Sequence, residues 1–483
     1  MALTLLLLRF HTVYLSLSSK YKKVTESSQM TDSASRPTGG TEFSWCKAVP
    51  GGTGITVLGL LLSKPPHISF LQNALNDLQN SHPILRSRIH FEDSTNTYHF
   101  VTPQTPHVEI QPYDHQAASQ IVQSQSNGHD QIEPFHALFE HEMNVNPWRD
   151  NSDGDTDVMY ASAYAIEENR LAVFLRMHTA GCDRVSVTAL LGELIEKLRS
   201  GGDGGGGKVG EMNVALEDLV PEEKKRKPFW ARGFDMLGYS VNGFRLANLN
   251  FVDADSPRSS RILRLRLNEE ETENLIDACK SRGIKLSGAL AAAGMIASWT
   301  SKNLPDHQRE KYGVVTLIDC RSALDPVLPS NHVGFYHGAI MNTHDVCKET
   351  LWELAERIHT SFANAKNNNK HFTDMNDLNF LMMRAIENPG LTPSSSLRTS
   401  LISVFEDPIV DDSAEIHREL GVEDYLGCGS LHGIGTSMSL FDTIRDGKLD
   451  CAFVYPSPLH SREQIQELVD HMKSILLNGC HIE

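Results

Sequence analysis

A histidine and an aspartate lie five positions apart in the segment LRMHTAGCDRVS, residues 175–186. Imidazole is suited to removing a proton near neutral pH, because its unperturbed pKa lies close to that range. The segment therefore has the composition of a proton-transfer site, in which His178 is a residue that could act as a base.

The pattern around this segment indicates how it is positioned. The apolar run LAVFLRM, residues 171–177, predicts a buried strand, and residues 184–198 place apolar side chains at helical spacing. Residues 178–183 are then a short loop between a strand and a helix. Such junctions commonly hold functional residues, which favours a functional interpretation of this loop.

The length of the chain predicts more than one compact unit. For 483 residues we expect two lobes of roughly 200 residues each. A glycine-rich and then charged stretch, residues 200–230, has the composition of an exposed linker. We therefore predict a disordered leader or targeting segment at 1–39, an N-terminal lobe at 40–199 and a C-terminal lobe at 231–483.

Periodicity predicts helices and strands together in the N-terminal lobe. Apolar residues at helical spacing indicate a helix at 68–79, and the pattern within 84–101 indicates two strands around a polar turn. A second pair of strands is predicted at 158–166 and 171–177. This pattern indicates a mixed α/β lobe.

The C-terminal lobe repeats the mixture. Asn268 and Glu271 form a capping-box pattern before a helix at 269–282, which Gly283 ends. The other predicted elements are strands at 261–267, 313–320, 333–343, 397–405, 436–444 and 449–455, and helices at 286–300, 348–366 and 462–477. A mixed α/β fold class is therefore expected for the whole chain.

The segment LRMHTAGCDRVSVTALLGELIEKL resembles the H-H-x-x-x-D-G region of the CoA-dependent acyltransferase superfamily. That superfamily includes chloramphenicol acetyltransferase, condensation domains, alcohol acetyltransferases and plant H-x-x-x-D acyltransferases. The segments GIKLSGALAAAGMIAS and VVTLIDCRSALDPVLPSNHVGFYHGAI resemble its second-lobe helix, strand and Arg-bearing segment. The resemblance implies two chloramphenicol-acetyltransferase-like lobes with a channel between them and the 178–183 loop at its middle.

The resemblance also assigns roles to residues of the motif. Asp183 takes the place of the family's aspartate and His178 that of its first histidine, so Thr179 stands where the family has its general base. A threonine hydroxyl lacks comparable basicity, and losing a general base typically costs about 10²–10⁴-fold in rate. Arg184 replaces the family's glycine. The family's aspartate forms a structural salt bridge with a second-lobe arginine, which Arg321 matches.

The source of a base is left open by this comparison. In one alternative, His178 is the base and the loop contains one additional residue before the aspartate. In another, a second-lobe histidine supplies the base, and the channel candidates there are His337, His432 and Ser437. A lone histidine in a strand is, however, more often a hydrogen-bonded core residue.

Two functions follow from the resemblance. The first is transfer of an acyl group, other than an amino-acyl group, from an acyl-CoA or carrier thioester to an alcohol or amine. The second is a catalytically inactive pseudoenzyme that binds an acyl thioester or a protein partner, because Thr179 replaces the base. We expect small-molecule donors and acceptors, no permanently bound cofactor, and acyl-CoA as a possible co-substrate.

The composition argues against several other classes. The net charge of −17 leaves no broad cationic face for phosphates, so nucleic acid is not an expected partner. The eight cysteines form no C-x-x-C pair, and no residue pattern predicts a metal site. No apolar run reaches the roughly 18 residues that a membrane span requires.

The cysteines and the first residues bear on location. Cysteines scattered singly favour a reducing compartment, so we expect a cytoplasmic protein. The resemblance implies a monomer, because members of that superfamily are often monomeric. Residues 1–29 contain several basic residues and no acid before Glu26, so import into an organelle through this segment is the alternative.

Overall fold

The structure is a computed structural model of the chain. It describes residues 33–125, 132–150, 154–167, 169–200, 210–227, 246–388 and 396–480. The predicted targeting segment at 1–29 and the glycine-rich part of the predicted linker at 201–209 lie outside the described residues. Ser33–Pro37, which the sequence analysis assigned to the leader, forms a strand that pairs with another strand of the N-terminal lobe.

The described residues form sixteen strands in three sheets. The strands are β1 Ser33–Pro37, β2 Thr53–Leu62, β3 Arg88–Glu92, β4 Thr97–Pro103, β5 Ile110–Tyr113, β6 Thr156–Asp157, β7 Met159–Glu167, β8 Arg170–His178, β9 Ser259–Arg266, β10 Glu310–Asp319, β11 His337–Val346, β12 Arg398–Phe405, β13 Ile409–Asp411, β14 Val422–Leu431, β15 Gly435–Arg445 and β16 Lys448–Ser457. The sheets have the orders β1-β4-β3-β6, β14-β2-β8-β7-β5, and β11-β10-β12-β15-β16-β9 with β13 beside β15.

Fourteen helices accompany these sheets in the described part of the chain. They are α1 Gly40–Ala48, α2 Ile68–Ser81, α3 His115–Gln125, α4 Pro134–Asn144, α5 Arg184–Arg199, α6 Leu216–Leu219, α7 Glu222–Lys225, α8 Glu269–Arg282, α9 Leu286–Thr300, α10 Leu351–Asn367, α11 Lys370–Thr373, α12 Met375–Glu387, α13 Ala414–Leu420 and α14 Arg462–Cys480. None of the helices described is both long and apolar enough to cross a membrane. The fold is thus the mixed α/β fold that the sequence predicts.

Strand β2 positions the start of the motif loop, residues 178–183. All ten of its residues are buried, as expected for a short apolar run inside a sheet. It pairs antiparallel with β8, so that Ile55 lies opposite His178. The end of β8 therefore lies beside the beginning of β2, and the chain enters the motif loop next to Gly54.

In the second lobe, α9 packs closely on the seven-stranded sheet. Thirteen of its fifteen residues are buried, because small side chains let the helix approach the strands. A Cβ atom on Gly294 would lie 2.8 Å from Cδ1 of Ile402 in β12. Glycine is therefore needed at this position for the observed approach.

Strand β14 crosses between the lobes. Its residues belong to the predicted C-terminal lobe, yet it pairs antiparallel with β2, with Val422 opposite Leu62 and Leu431 opposite Thr53. The edge of β2 would otherwise expose unpaired backbone groups beside a buried apolar run, which is costly. The predicted lobe at 231–483 thus contributes one strand to the sheet of the first lobe.

Most of the predicted helices and strands are confirmed. The helix at 269–282 has the predicted caps: Oδ1 of Asn268 accepts from the Glu271 N–H at 2.9 Å, and Gly283 has a φ of 67°. The strand prediction was wrong at Pro83–Arg86, which is a 3₁₀ turn that begins with proline. Residues 333–336 are also not a strand, because the N–H groups of Gly334 and Tyr336 donate to the side chains of Ser186 and Asp183 instead of a neighbouring strand.

Candidate active site

A cavity of about 540 Å³ lies between the five-stranded and seven-stranded sheets. Its walls come from β2, β14, the motif loop and the first turn of α5 on one side, and from β10, β11, β12, β15 and α12 on the other. Most of the lining side chains are apolar, among them Trp45, Phe335 and Phe441. Its volume and lining are those of a small-molecule binding site.

Asp183 connects the motif loop to the second lobe. It is the N-cap of α5, where its Oδ1 accepts from the Ser186 N–H at 2.8 Å. Arg321 reaches both carboxylate oxygens at 3.0 Å, and the Tyr336 N–H donates to Oδ2 at 2.8 Å. Burial alone would raise the pKa of Asp183, but Arg321 and His337 outweigh it and hold that pKa well below its ordinary value.

Arg321, the partner of Asp183, makes further hydrogen bonds and ion pairs within the second lobe. Its guanidinium also donates to Asp319 at 2.8 Å and to the His332 carbonyl. Burial lowers the pKa of Arg321, while Asp183 and Asp319 raise it more, so the net shift is upwards. Both members of the Asp183–Arg321 pair, which the family resemblance implied, are therefore charged and only 2% exposed.

His337, the first residue of β11, lines the cavity beside this pair. Its Nδ1 lies 3.0 Å from Oδ2 of Asp183, and its side chain is 5% exposed. The ring contacts Phe405 edge to face, with centroids 5.7 Å apart. A carboxylate beside one imidazole nitrogen can hold the proton there and leave the other nitrogen free as a base.

Thr179 also lines the cavity, but its hydroxyl already takes part in two hydrogen bonds. It donates to the Gly54 carbonyl at 2.6 Å and lies 2.6 Å from the Thr56 hydroxyl. A hydroxyl has one proton to give, so Thr56 must be the donor in the second bond. Gly54 has a φ of 90°, and a Cβ there would lie 3.0 Å from the Thr179 hydroxyl oxygen.

His178 is placed outside the cavity wall. It is fully buried and packs edge to face against Trp148, with ring centroids 5.2 Å apart. Its Nδ1 accepts from the Ala180 N–H at 3.1 Å. Burial lowers the pKa of His178 to about 3, so the ring is neutral near pH 7.

The other two channel candidates are also not brought to the cavity. His432 is buried with its Nδ1 3.0 Å from the Ser260 hydroxyl, and burial together with Arg149 and Arg398 lowers its pKa to about 4. The Ser437 hydroxyl donates to Oδ1 of Asn248 at 3.2 Å. Of the three candidates in the second lobe, His337 alone lines the cavity.

Some residues of the site were not anticipated from the sequence. Thr56 belongs to β2, and the polar residue inside that apolar run was the available signal. The Tyr336 N–H and the Phe405 ring carry no sequence signal, because any residue supplies an N–H and aromatic residues are common in cores. The described residues hold no group of three or more His, Cys, Asp or Glu placed to bind a metal ion.

Comparison with known proteins adds to this geometry. Residues 256–368 match the family model for the phthiocerol/phthiodiolone dimycocerosyl transferase C-terminus. No curated protein sequence matches the chain significantly.

Several solved structures share the fold. Polyketide synthase associated protein 5 from Mycobacterium tuberculosis has 15% identity, with 92% of this chain and 99% of that chain covered and a TM-score of 0.61. Trichothecene 15-O-acetyltransferase from Fusarium sporotrichioides has 11% identity, coverages of 94% and 97%, and a TM-score of 0.69. A nonribosomal peptide synthetase cyclization-docking bidomain from Sorangium cellulosum has 13% identity and a TM-score of 0.64. The match covers 100% of this chain and 92% of that chain.

These findings confirm the fold that the resemblance of residues 178–183 and their surroundings implied. The two-lobed mixed α/β fold, with a cavity between its sheets, is that of condensation domains and acyltransferases. The family match covers residues 256–368, and these neighbours share the fold of condensation domains and acyltransferases.

Proposed function

We propose that the protein transfers an acyl group from an acyl-CoA or carrier thioester to an alcohol or amine, with His337 as the general base. The position of His337 carries the proposal, because its ring lines the cavity while its Nδ1 lies 3.0 Å from the Asp183 carboxylate. Asp183 would keep the proton on Nδ1 and leave Nε2 to accept one from the substrate.

The proposed reaction has two stages. Nε2 of His337 takes the proton of the acceptor as its oxygen or nitrogen attacks the thioester carbon. The tetrahedral intermediate then collapses, the carbon–sulfur bond breaks, and the imidazolium returns the proton to the departing thiolate. The ionised Asp183 stabilises the transient imidazolium, and Arg321 keeps that carboxylate ionised.

The names of the matched proteins and the cavity lining support this class of reaction. A trichothecene 15-O-acetyltransferase and a dimycocerosyl transferase both transfer acyl groups by name. The apolar lining of the cavity favours an acyl group or acceptor that is largely apolar.

One observation favours the second function, binding without turnover. The Thr179 hydroxyl occupies the family's base position and is committed to Gly54 and Thr56. A chain that kept the fold and lost this base could still hold an acyl thioester in the cavity.

The first experiment measures CoA thiol release by the full chain with acetyl-, hexanoyl-, decanoyl- and palmitoyl-CoA and a panel of alcohols and amines. We expect turnover by the wild type and a loss of about 10²–10⁴-fold in His337→Gln. The matched control is His344→Gln, because His344 is a buried histidine of the same strand that does not line the cavity. Equal rates in His337→Gln and the wild type would exclude His337 as the base.

A third variant separates the two functions. If the wild type releases no thiol and Thr179→His does, the cavity is intact and the protein is a pseudoenzyme that lacks an imidazole. If the wild type turns over, the pseudoenzyme function is excluded.

A further inference from the structure

Arg184 is the residue that departs from the family's glycine, and the proposed reaction does not use it. It is the first residue of α5 and follows Asp183 directly, so its backbone is fixed by the N-cap and the ion pair of its neighbour. Its side chain lines the cavity and is 6% exposed. A large cation therefore occupies space that a glycine would leave open.

The guanidinium of Arg184 reaches across to the second lobe. It lies 3.1 Å from Oδ1 of Asp442 in β15 and also donates to the Asp442 backbone carbonyl. It donates to the Asp407 carbonyl at 3.5 Å and lies 4.1 Å above the centre of the Phe405 ring. The side chain thus spans from α5 to β12 and β15.

The far side of this bridge is the protein surface. The Asp407 side chain is 67% exposed, and Lys285, which pairs with it at 2.8 Å, is 37% exposed. Arg184 lines the cavity on one side and bonds this exposed segment on the other. Arg184 is therefore part of the wall that separates the cavity from solvent at this end.

This end wall lies close to the proposed base, and apolar side chains line the cavity beside it. Phe405 contacts both Arg184 and His337, at 4.1 Å and 5.7 Å from its ring centre. Phe441 and Val187 line the cavity nearby. An acyl chain begins at the carbon that the base-activated acceptor attacks, and its methylenes match this lining, whereas the amides of a pantetheine arm would not.

We propose that Arg184, anchored by Asp442, is a specificity-determining residue that closes this end of the cavity and limits the length of the acyl chain. The inference rests on the proposed function for the identity of the substrate. It deepens that function by naming the substrate class, a straight apolar acyl chain of bounded length.

The test uses two double variants of the full chain. Arg184→Ala/Asp442→Asn removes the bulk of the side chain, and Arg184→Met/Asp442→Asn keeps a long side chain without its charge. Asp442→Asn is included in both because an unpaired buried carboxylate would be strongly destabilising. Calorimetry then measures binding of S-alkyl-CoA thioethers of increasing chain length, which bind without the possibility of acyl transfer.

We expect wild-type affinity to rise about fourfold per methylene up to a limiting length and then to stop rising. In Arg184→Ala/Asp442→Asn the limiting chain length should increase by about two methylenes. Affinity for the longer chain should then rise about 16-fold. The limit should not move in Arg184→Met/Asp442→Asn.

Three results would overturn the proposal: no binding by the wild type, an unchanged limit in the alanine variant, or an equal shift in both variants. Because binding needs no turnover, the two proposals can fail separately. A wild type that binds the series but releases no thiol would contradict the proposed function alone.

Discussion

Nδ1 of His337 and Oδ2 of Asp183 come from different lobes and lie 3.0 Å apart. The same carboxylate oxygen lies 3.0 Å from Arg321. One buried carboxylate thus fixes the motif loop against the second lobe and lies at ion-pair distance from the histidine that lines the cavity. If His337 is the base, as proposed, changes at Asp183 should affect stability and activity together.

Removing one member of the Asp183–Arg321 pair should strongly destabilise the fold. Asp183→Asn leaves the buried Arg321 with Asp319 alone as an acidic partner, and Arg321→Met leaves the buried Asp183 carboxylate without its guanidinium. We expect each to lower the free energy of unfolding by about 3–5 kcal/mol, measured by urea denaturation. The double variant should lose less than the sum of the two, and additive losses would show that the pair is not coupled.

His178 should make the fold sensitive to acid. The unfolded chain binds a proton at this ring near pH 6.5, whereas burial lowers the folded pKa to about 3. Between these values the unfolded state binds more protons, so stability falls as the pH falls, by about 1.4 kcal/mol per pH unit. His178→Asn, which can still accept from the Ala180 N–H, should lose this part of the slope.

Urea denaturation at pH 7, 6, 5 and 4 measures that slope. His115→Asn is the matched control, because this histidine is exposed, and it should keep the wild-type slope. A slope in His178→Asn equal to that of the wild type would contradict the assignment of the proton to His178.

Thr179→Val should separate structure from catalysis. The change keeps the side-chain shape but removes the hydroxyl that links Thr56 to the Gly54 carbonyl. Leaving these buried groups without partners should cost about 1–3 kcal/mol of unfolding free energy. If His337 is the base, thiol release per folded molecule should not show the hundredfold loss that removal of a base causes. Such a loss would indicate that the base lies in the motif loop instead.

Arg264 should anchor the strand that crosses between the lobes. Its guanidinium, in β9, pairs with Asp424 of β14 and Asp450 of β16. Burial lowers the pKa of Arg264, but these two carboxylates raise it more, so the net shift is upwards. Arg264→Met should lower the unfolding free energy by about 3 kcal/mol. Arg266→Met, in the same strand but 57% exposed, should lower it by less than about 1 kcal/mol, and equal losses would contradict a special role for Arg264.

The sequence by itself determined the local structure and the mixed α/β fold class. Residues 269–282 carry their own cap signals, and the apolar spacing of 68–79 and 286–300 predicts helices that the structure contains. Such signals are readable because the interacting groups lie within a few positions of one another. The motif loop and its resemblance were sufficient to indicate the superfamily and to name Arg321 beside Asp183.

Only the tertiary structure decided which side chains meet at the cavity. His337 lies 154 positions from Asp183 in the printed sequence, and Asp442 lies 258 positions from Arg184. No local pattern predicts that His178 contacts Trp148 while Thr179, one residue later, lines the cavity. These placements depend on how two sheets pack and on the strand that crosses between them. The proposed base and the proposed end wall could therefore be recognised only in three dimensions.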